Sequence, residues 1–137
     1  MFSQLPVSVL FLYCIAIAFL LIYVPFLVVA YARVSIGYDY YAPRTMFEKL
    51  PPYAQRATWA HQNSFEAFPI FAAAALMAYV TGVNSSLAAW AALSFITARL
   101  LYSVFYISNI PLLRSLMYAI GLGCSCTLFV LSIIQAS

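Results

Sequence analysis

Four apolar stretches leave this chain few ways to fold. They run from about residue 7 to 32, 53 to 80, 87 to 107 and 112 to 134. A bilayer crossing takes about 20 mostly apolar residues, and each stretch meets that length. Of the 137 residues, 66% are hydrophobic and 7% charged, whereas a soluble domain carries roughly 25% charged residues. Such a chain lacks the polar surface to face water on all sides. The expectation is an all-α integral membrane protein, one domain over residues 1–137, with four transmembrane helices. Short connections at 81–86 and 108–111 force antiparallel neighbours, hence an up-down-up-down bundle. One longer loop, 34–52, holds Gly37, Pro43, Pro51 and Pro52 with Asp39, Arg44, Glu48 and Lys49.

Residues 1–6 carry no basic segment, and no small-residue cleavage site follows the first stretch. That stretch is therefore expected to be a retained span and not a cleaved signal. Arg33, Arg44, Lys49 and Arg56 flank the first loop and Arg114 flanks the third, while the second loop carries no basic residue. The positive-inside rule then puts loops one and three in the cytoplasm and both termini on the opposite side. Short termini without a retention signal fit a bacterial inner membrane. A net charge of +3, scattered, excludes a nucleic-acid partner. Cys14, Cys124 and Cys126 lie in apolar stretches and read as packing residues, neither a disulfide nor a metal pair. No metal site is expected, and no Ser-His-Asp order or glycine-rich phosphate loop is present. Pro25 and Pro69 fall inside spans and are expected to kink them.

The second stretch is oddly polar. The segment RATWAHQNSFEAFPIF, residues 56–71, sets Arg56, His61, Gln62, Asn63 and Glu66 in a membrane span. Ionisable groups at membrane depth are costly, face the bundle interior and mark functional sites by default. At about 100° per residue, Arg56 and Asn63 fall within roughly 20° of each other, and Glu66 about 80° from Arg56. These three share a face; His61 and Gln62 point elsewhere. The third stretch has its own stripe, Arg99, Tyr102 and Tyr106, spaced i, i+3, i+7. Arg99 is the only charge in that span, and Glu66 is the only carboxylate within any span. The two are expected to pair, within one subunit or across two. A pair alone could serve only helix register. The added Asn63, Tyr102, Tyr106, Arg33, Arg56 and Arg114 make an excess of cations with amide and phenol donors, which suits a small polyanionic ligand bearing carboxylates.

With these residues in place, the chain resembles the membrane-associated proteins in eicosanoid and glutathione metabolism, the MAPEG family. That family includes microsomal glutathione transferases, leukotriene and prostaglandin synthases, and a non-catalytic ligand binder. The resemblance covers all four spans and the loop pattern. It rests on Arg56-Ala57-x-x-Ala60-His61-x-Asn63-x-x-Glu66 with Phe68-Pro69-x-Phe71, on Ala98-Arg99-Leu100-x-Tyr102-x-x-x-Tyr106, and on Pro111-x-x-Arg114-Ser115 with Tyr118. It implies a homotrimer with glutathione as co-substrate between neighbouring subunits. Arg56, Asn63, Glu66, Arg99 and Tyr102 match glutathione-binding positions, and Arg33 matches a first-helix arginine there. Arg114 matches the arginine that stabilises the thiolate, with Tyr106 as a hydrogen-bond donor to it. The chain departs at Trp59 and Gln62, where some relatives carry basic residues.

The function that the resemblance implies is a membrane glutathione transferase or peroxidase acting on a hydrophobic electrophile from the bilayer. The alternative is a non-catalytic lipid-binding or scaffold protein of the same fold. A small multidrug transporter also has four spans, but such pumps resemble one another in a first-helix carboxylate that this chain lacks.

Overall fold

The computed structural model describes residues 4–137. Residues 1–3, on which part of the leader reading falls, lie outside the described residues. Four long helices follow in order: α1 (Val7–Ser35), α2 (Pro52–Thr81), α3 (Ser86–Ile107) and α4 (Pro111–Ala136). Each is long and apolar enough to cross a membrane. Among the described residues there is no strand. The expected all-α, four-span architecture is therefore the observed one.

Around the bundle the helices run α1, α2, α4, α3, with α2 also touching α3 across the diagonal. The interface residues are small. Ala54, Ala57, Ala60, Ser64, Ala74, Ala75 and Ala78 are buried along α2, and Ala88, Ala91, Ala92 and Ala98 along α3. Without a hydrophobic force between helices in lipid, close approach of small residues supplies the packing. Between them, Phe71 and Phe95 stack face to face, with centroids 3.9 Å apart and planes 2° off parallel.

Helix ends fall within three residues of the sequence expectation, and local chemistry explains where. Pro52 and Pro111 occupy first-turn positions, where a missing N–H costs nothing. The Ser85 side chain accepts from the Ala88 N–H at 3.2 Å and opens α3. Gly82, at φ 75°, closes α2, with Val83 N–H donating back to the Ala78 carbonyl. Asn109, at φ 62°, does the same for α3: Ile110 N–H reaches Phe105 and Asn109 N–H reaches Tyr106. Helices α1 and α2 continue without interruption through Pro25 and Pro69.

The long loop is more ordered than its composition suggests. Asp39 Oδ1 accepts from the N–H groups of Tyr41 and Ala42, an Asx turn that leads into a 3-10 helix, Pro43–Lys49. Met46 and Leu50 are buried and pin that helix to the bundle. Gln55 Nε2 donates to the Phe47 carbonyl at 3.2 Å and ties it to α2.

Candidate functional site

The polar residues of the middle spans divide between two cavities. The first is a narrow cleft of about 50 Å³ between α2, α3 and α4, bordered by Asn63, Glu66, Arg99, Tyr118, Gly121 and Ser125. Helix α2 supplies Asn63 and Glu66 at i, i+3. Helix α3 supplies Arg99 from below. Helix α4 lines the far side at positions i, i+3, i+7, and a Cβ added at Gly121 would stand in ordinary contact, 3.7 Å from Arg99 Cδ.

Arg99 is 6% exposed. The sequence led us to expect a Glu66 partner. Within the protomer that pair does not form. Arg99 Nη2 instead donates to Ser64 Oγ at 3.2 Å, and the Ser64 hydroxyl donates onward to the Ala60 carbonyl at 2.8 Å. The guanidinium carbon also lies 4.2 Å from the Tyr102 ring centroid, a cation–π contact. Ser64 and the ring fix Arg99 in place, while Glu66 stands exposed at the rim of the same cleft. The Asn63 Oδ1 atom is buried and has no hydrogen-bond partner.

A ladder of aromatic rings and cations continues from there. Tyr102 meets Tyr106 edge-on at 5.6 Å and lies 6.4 Å from Tyr118. The Arg114 guanidinium sits 4.6 Å over the Tyr106 ring. Tyr106 in turn adjoins Trp59 at 6.4 Å, and Trp59 adjoins Phe47 of the loop helix at 5.5 Å.

Two arginines expected at this site are occupied or placed elsewhere in the protomer. Arg56 donates through both Nε and Nη2 to the Ile107 carbonyl, at 3.1 and 3.0 Å. That carbonyl ends α3, where no helical N–H remains for it, and a basic side chain is a natural cap. Arg33 lines the second cavity, about 440 Å³, between α1, the loop helix and α2, together with Arg44, His61 and Gln62. Its Nε is buried without a partner. His61, set aside from the sequence, binds across helices: its Nδ1 donates to the Ile22 carbonyl at 2.8 Å.

Sequence reasoning missed Ser64, although its position four residues after Ala60 on the buried side of α2 was visible. It also gave no role to Tyr118, Gly121 and Ser125, whose i, i+3, i+7 spacing matched the cleft. Among the described residues no His, Cys, Asp and Glu cluster could hold a metal ion.

The family profile described as the MAPEG family matches residues 10–134. The chain belongs to the MAPEG family. No curated protein and no solved structure matches it. As a MAPEG protein with four apolar helices, the chain is an integral membrane protein, and its family includes glutathione transferases beside other members. Arg99, Tyr102, Tyr106 and Arg114 thus form a continuous cationic and aromatic wall in a MAPEG bundle, next to Asn63 and Glu66.

Proposed function

We propose that this MAPEG protein is a glutathione-dependent membrane transferase acting on hydrophobic electrophiles. The observation that carries the reading is the cleft in which Asn63, Glu66 and Ser64-anchored Arg99 converge, joined through Tyr102 to Tyr106 and the Arg114 stacked on it. The donor set fits glutathione, which brings two carboxylates, an ammonium, two amides and a nucleophilic thiol. The unpartnered Asn63 Oδ1 can accept from an amide or ammonium. Glu66 suits an ammonium, and Arg99 suits a carboxylate.

Arg114 is the cation available to hold a sulfur anion. A free thiol has a pKa of about 8.5, and a neighbouring guanidinium lowers it. Tyr106 fixes the guanidinium by its ring and offers a phenol hydrogen bond. In the transfer, the thiol proton goes to water and a carbon–sulfur bond forms at the electrophilic carbon. The leaving group, chloride in a chlorinated nitroaromatic, departs with its bonding pair. With a lipid hydroperoxide, two thiols are oxidised to a disulfide while the peroxide is reduced to alcohol and water.

A cleft of about 50 Å³ holds only part of a tripeptide, and Glu66 is exposed in one protomer. Both support a homotrimer in which a neighbouring subunit completes the site. The Arg33 chamber is the natural candidate for the neighbour's share. The basic residues favour loops one and three on the cytoplasmic side, in what we propose is a bacterial inner membrane. A second reading, a non-catalytic lipid binder, draws on that chamber's size and its Phe26, Phe47 and Phe65 walls. The absorbance of bound glutathione thiolate separates the two. Purified protein should conjugate glutathione to a chlorinated nitroaromatic, and no detectable binding at millimolar glutathione would overturn the transferase reading.

A further inference from the structure

One buried hydroxyl in the cleft has no task in the chemistry above. Ser125 of α4 is 2% exposed and borders the cleft together with Glu66 and Arg99. A serine inside a span can satisfy its own hydroxyl by donating one turn back along the helix. Ser132, two turns further along the same face of α4, does so to the Leu128 carbonyl at 2.7 Å, and Ser64 of α2 does so to Ala60 at 2.8 Å. Ser125 makes no such bond to Gly121, and among the described residues its Oγ has no hydrogen-bond partner, although Thr127 and Ser132 on the same helix both have one. A hydroxyl left unpaired in apolar surroundings is costly. Ala67, Ile70, Phe95 and Leu122, which line the cleft around it, have no polar side chain to offer.

Contacts between the helices set the height of this hydroxyl in the bundle. Ser64 meets Arg99, and a Cβ on Gly121 would meet Arg99 as well, so these three residues share one level. Glu66 follows Ser64 by two residues and Ser125 follows Gly121 by four, on helices that run in the same direction. At 1.5 Å per residue they stand about 3 Å and about 6 Å past Arg99 on the same side. Asn63, one residue before Ser64, lies on the other side of that level. The Glu66 carboxylate and the Ser125 hydroxyl therefore flank the end of the cleft remote from Arg114.

The chemistry of that end is narrow. An ionised carboxylate only accepts, and a hydroxyl oxygen carries two lone pairs. A ligand group between them must donate more than one hydrogen bond and bear positive charge, which describes an ammonium. A carboxylate is repelled by Glu66 and finds its cation at the Arg99 level. We propose that Ser125 Oγ is a second acceptor, beside Glu66, for a primary ammonium of the ligand, and so makes this end of the cleft an ammonium subsite. That the ammonium is glutathione's rests on the transferase reading. The subsite counts N–H donors: it holds a primary ammonium and rejects a quaternary one of equal charge.

Calorimetry on the intact protein in nanodiscs compares glutathione with glutaryl-cysteinyl-glycine, the same tripeptide without its amino group. Ser125→Ala should weaken glutathione about ten-fold, the lower end for a hydrogen bond from a charged donor, and leave the deaminated tripeptide within about two-fold of the parent. The melting midpoint without ligand should match the parent's, because Ser125 gives up no bond within the protomer. An equal loss with both ligands, or no loss with either, overturns the proposal. Where the parent binds no glutathione, butylammonium chloride decides instead, with butyltrimethylammonium, which has no N–H, as its control. A rise in the parent's midpoint that butylammonium alone produces, and that Ser125→Ala abolishes, upholds the ammonium subsite and removes the transferase reading. Equal midpoints with the two salts, or a rise that survives in Ser125→Ala, overturns the subsite.

Discussion

Arg56→Ala separates two roles that the sequence could not tell apart. If Arg56 held glutathione, its loss would weaken ligand binding and leave the bundle intact. The structure gives it a different job: both Nε and Nη2 donate to the last carbonyl of α3. A hydrogen bond from a charged donor contributes about 1.5–3 kcal/mol. The two N–H groups share one acceptor and the site is part-buried, so a single such bond is the right count, about 2 kcal/mol. For a domain of this size that corresponds to a fall of roughly 4–10 °C in the thermal midpoint. Thermal unfolding of the detergent-solubilised protein, followed by intrinsic fluorescence with and without glutathione, measures both quantities. The midpoint should fall, while the upward shift that glutathione produces should persist. Arg56→Lys, with one ammonium in place of the guanidinium fork, should land between. An unchanged midpoint together with a lost glutathione shift would refute the capping argument and return Arg56 to the ligand.

Other outcomes follow from the same geometry. Arg114→Ala should cut turnover more than glutathione binding. Without the cation the thiol pKa returns toward about 8.5, so the deficit should be larger at pH 6.5 than at pH 8.5 in a pH–rate profile. Gly121→Ala should bind glutathione nearly as the parent does, since its Cβ makes ordinary contacts at 3.7 Å; Gly121→Leu should fill the cleft and abolish binding by calorimetry. Ser64→Ala removes the only side chain, among the described residues, that receives a hydrogen bond from Arg99 and should weaken glutathione about ten-fold, at about 1.5 kcal/mol, the lower end for a charged donor.

The spans were legible because membrane insertion leaves a long, uniform signal: four apolar runs with short connections admit little else. Helical arithmetic also placed Asn63 and Glu66 together correctly, since both are read from one rigid helix. It did not reach how two helices meet: the Glu66–Arg99 pair, expected within one subunit or across two, is not made within the protomer. The Glu66–Arg99 pairing assumed that opposite charges in apolar surroundings seek each other. Ser64, a neutral hydroxyl two residues before Glu66, offers Arg99 a nearer acceptor and a second one in relay. Arg56 has, for a related reason, a partner that the sequence does not show: the carbonyl at the end of α3 belongs to the backbone, and composition does not advertise unpaired carbonyls. The loop helix was hidden as well, because three prolines and a glycine within 37–52 read as irregular chain, whereas Met46 and Leu50 were enough to seat a 3-10 turn.

The contact between His61 and the Ile22 carbonyl has a consequence for proton bookkeeping. A carbonyl only accepts, so Nδ1 must carry hydrogen whether the ring is neutral or charged. The tautomer is thereby fixed, and Nε2 is the one atom at which this imidazole can gain or lose a proton. The residue itself lines the same chamber as Arg33 and Arg44. An electrophilic label for imidazoles should therefore modify His61 at Nε2 alone, and nitrogen NMR of labelled protein should show a single ring nitrogen with a free lone pair.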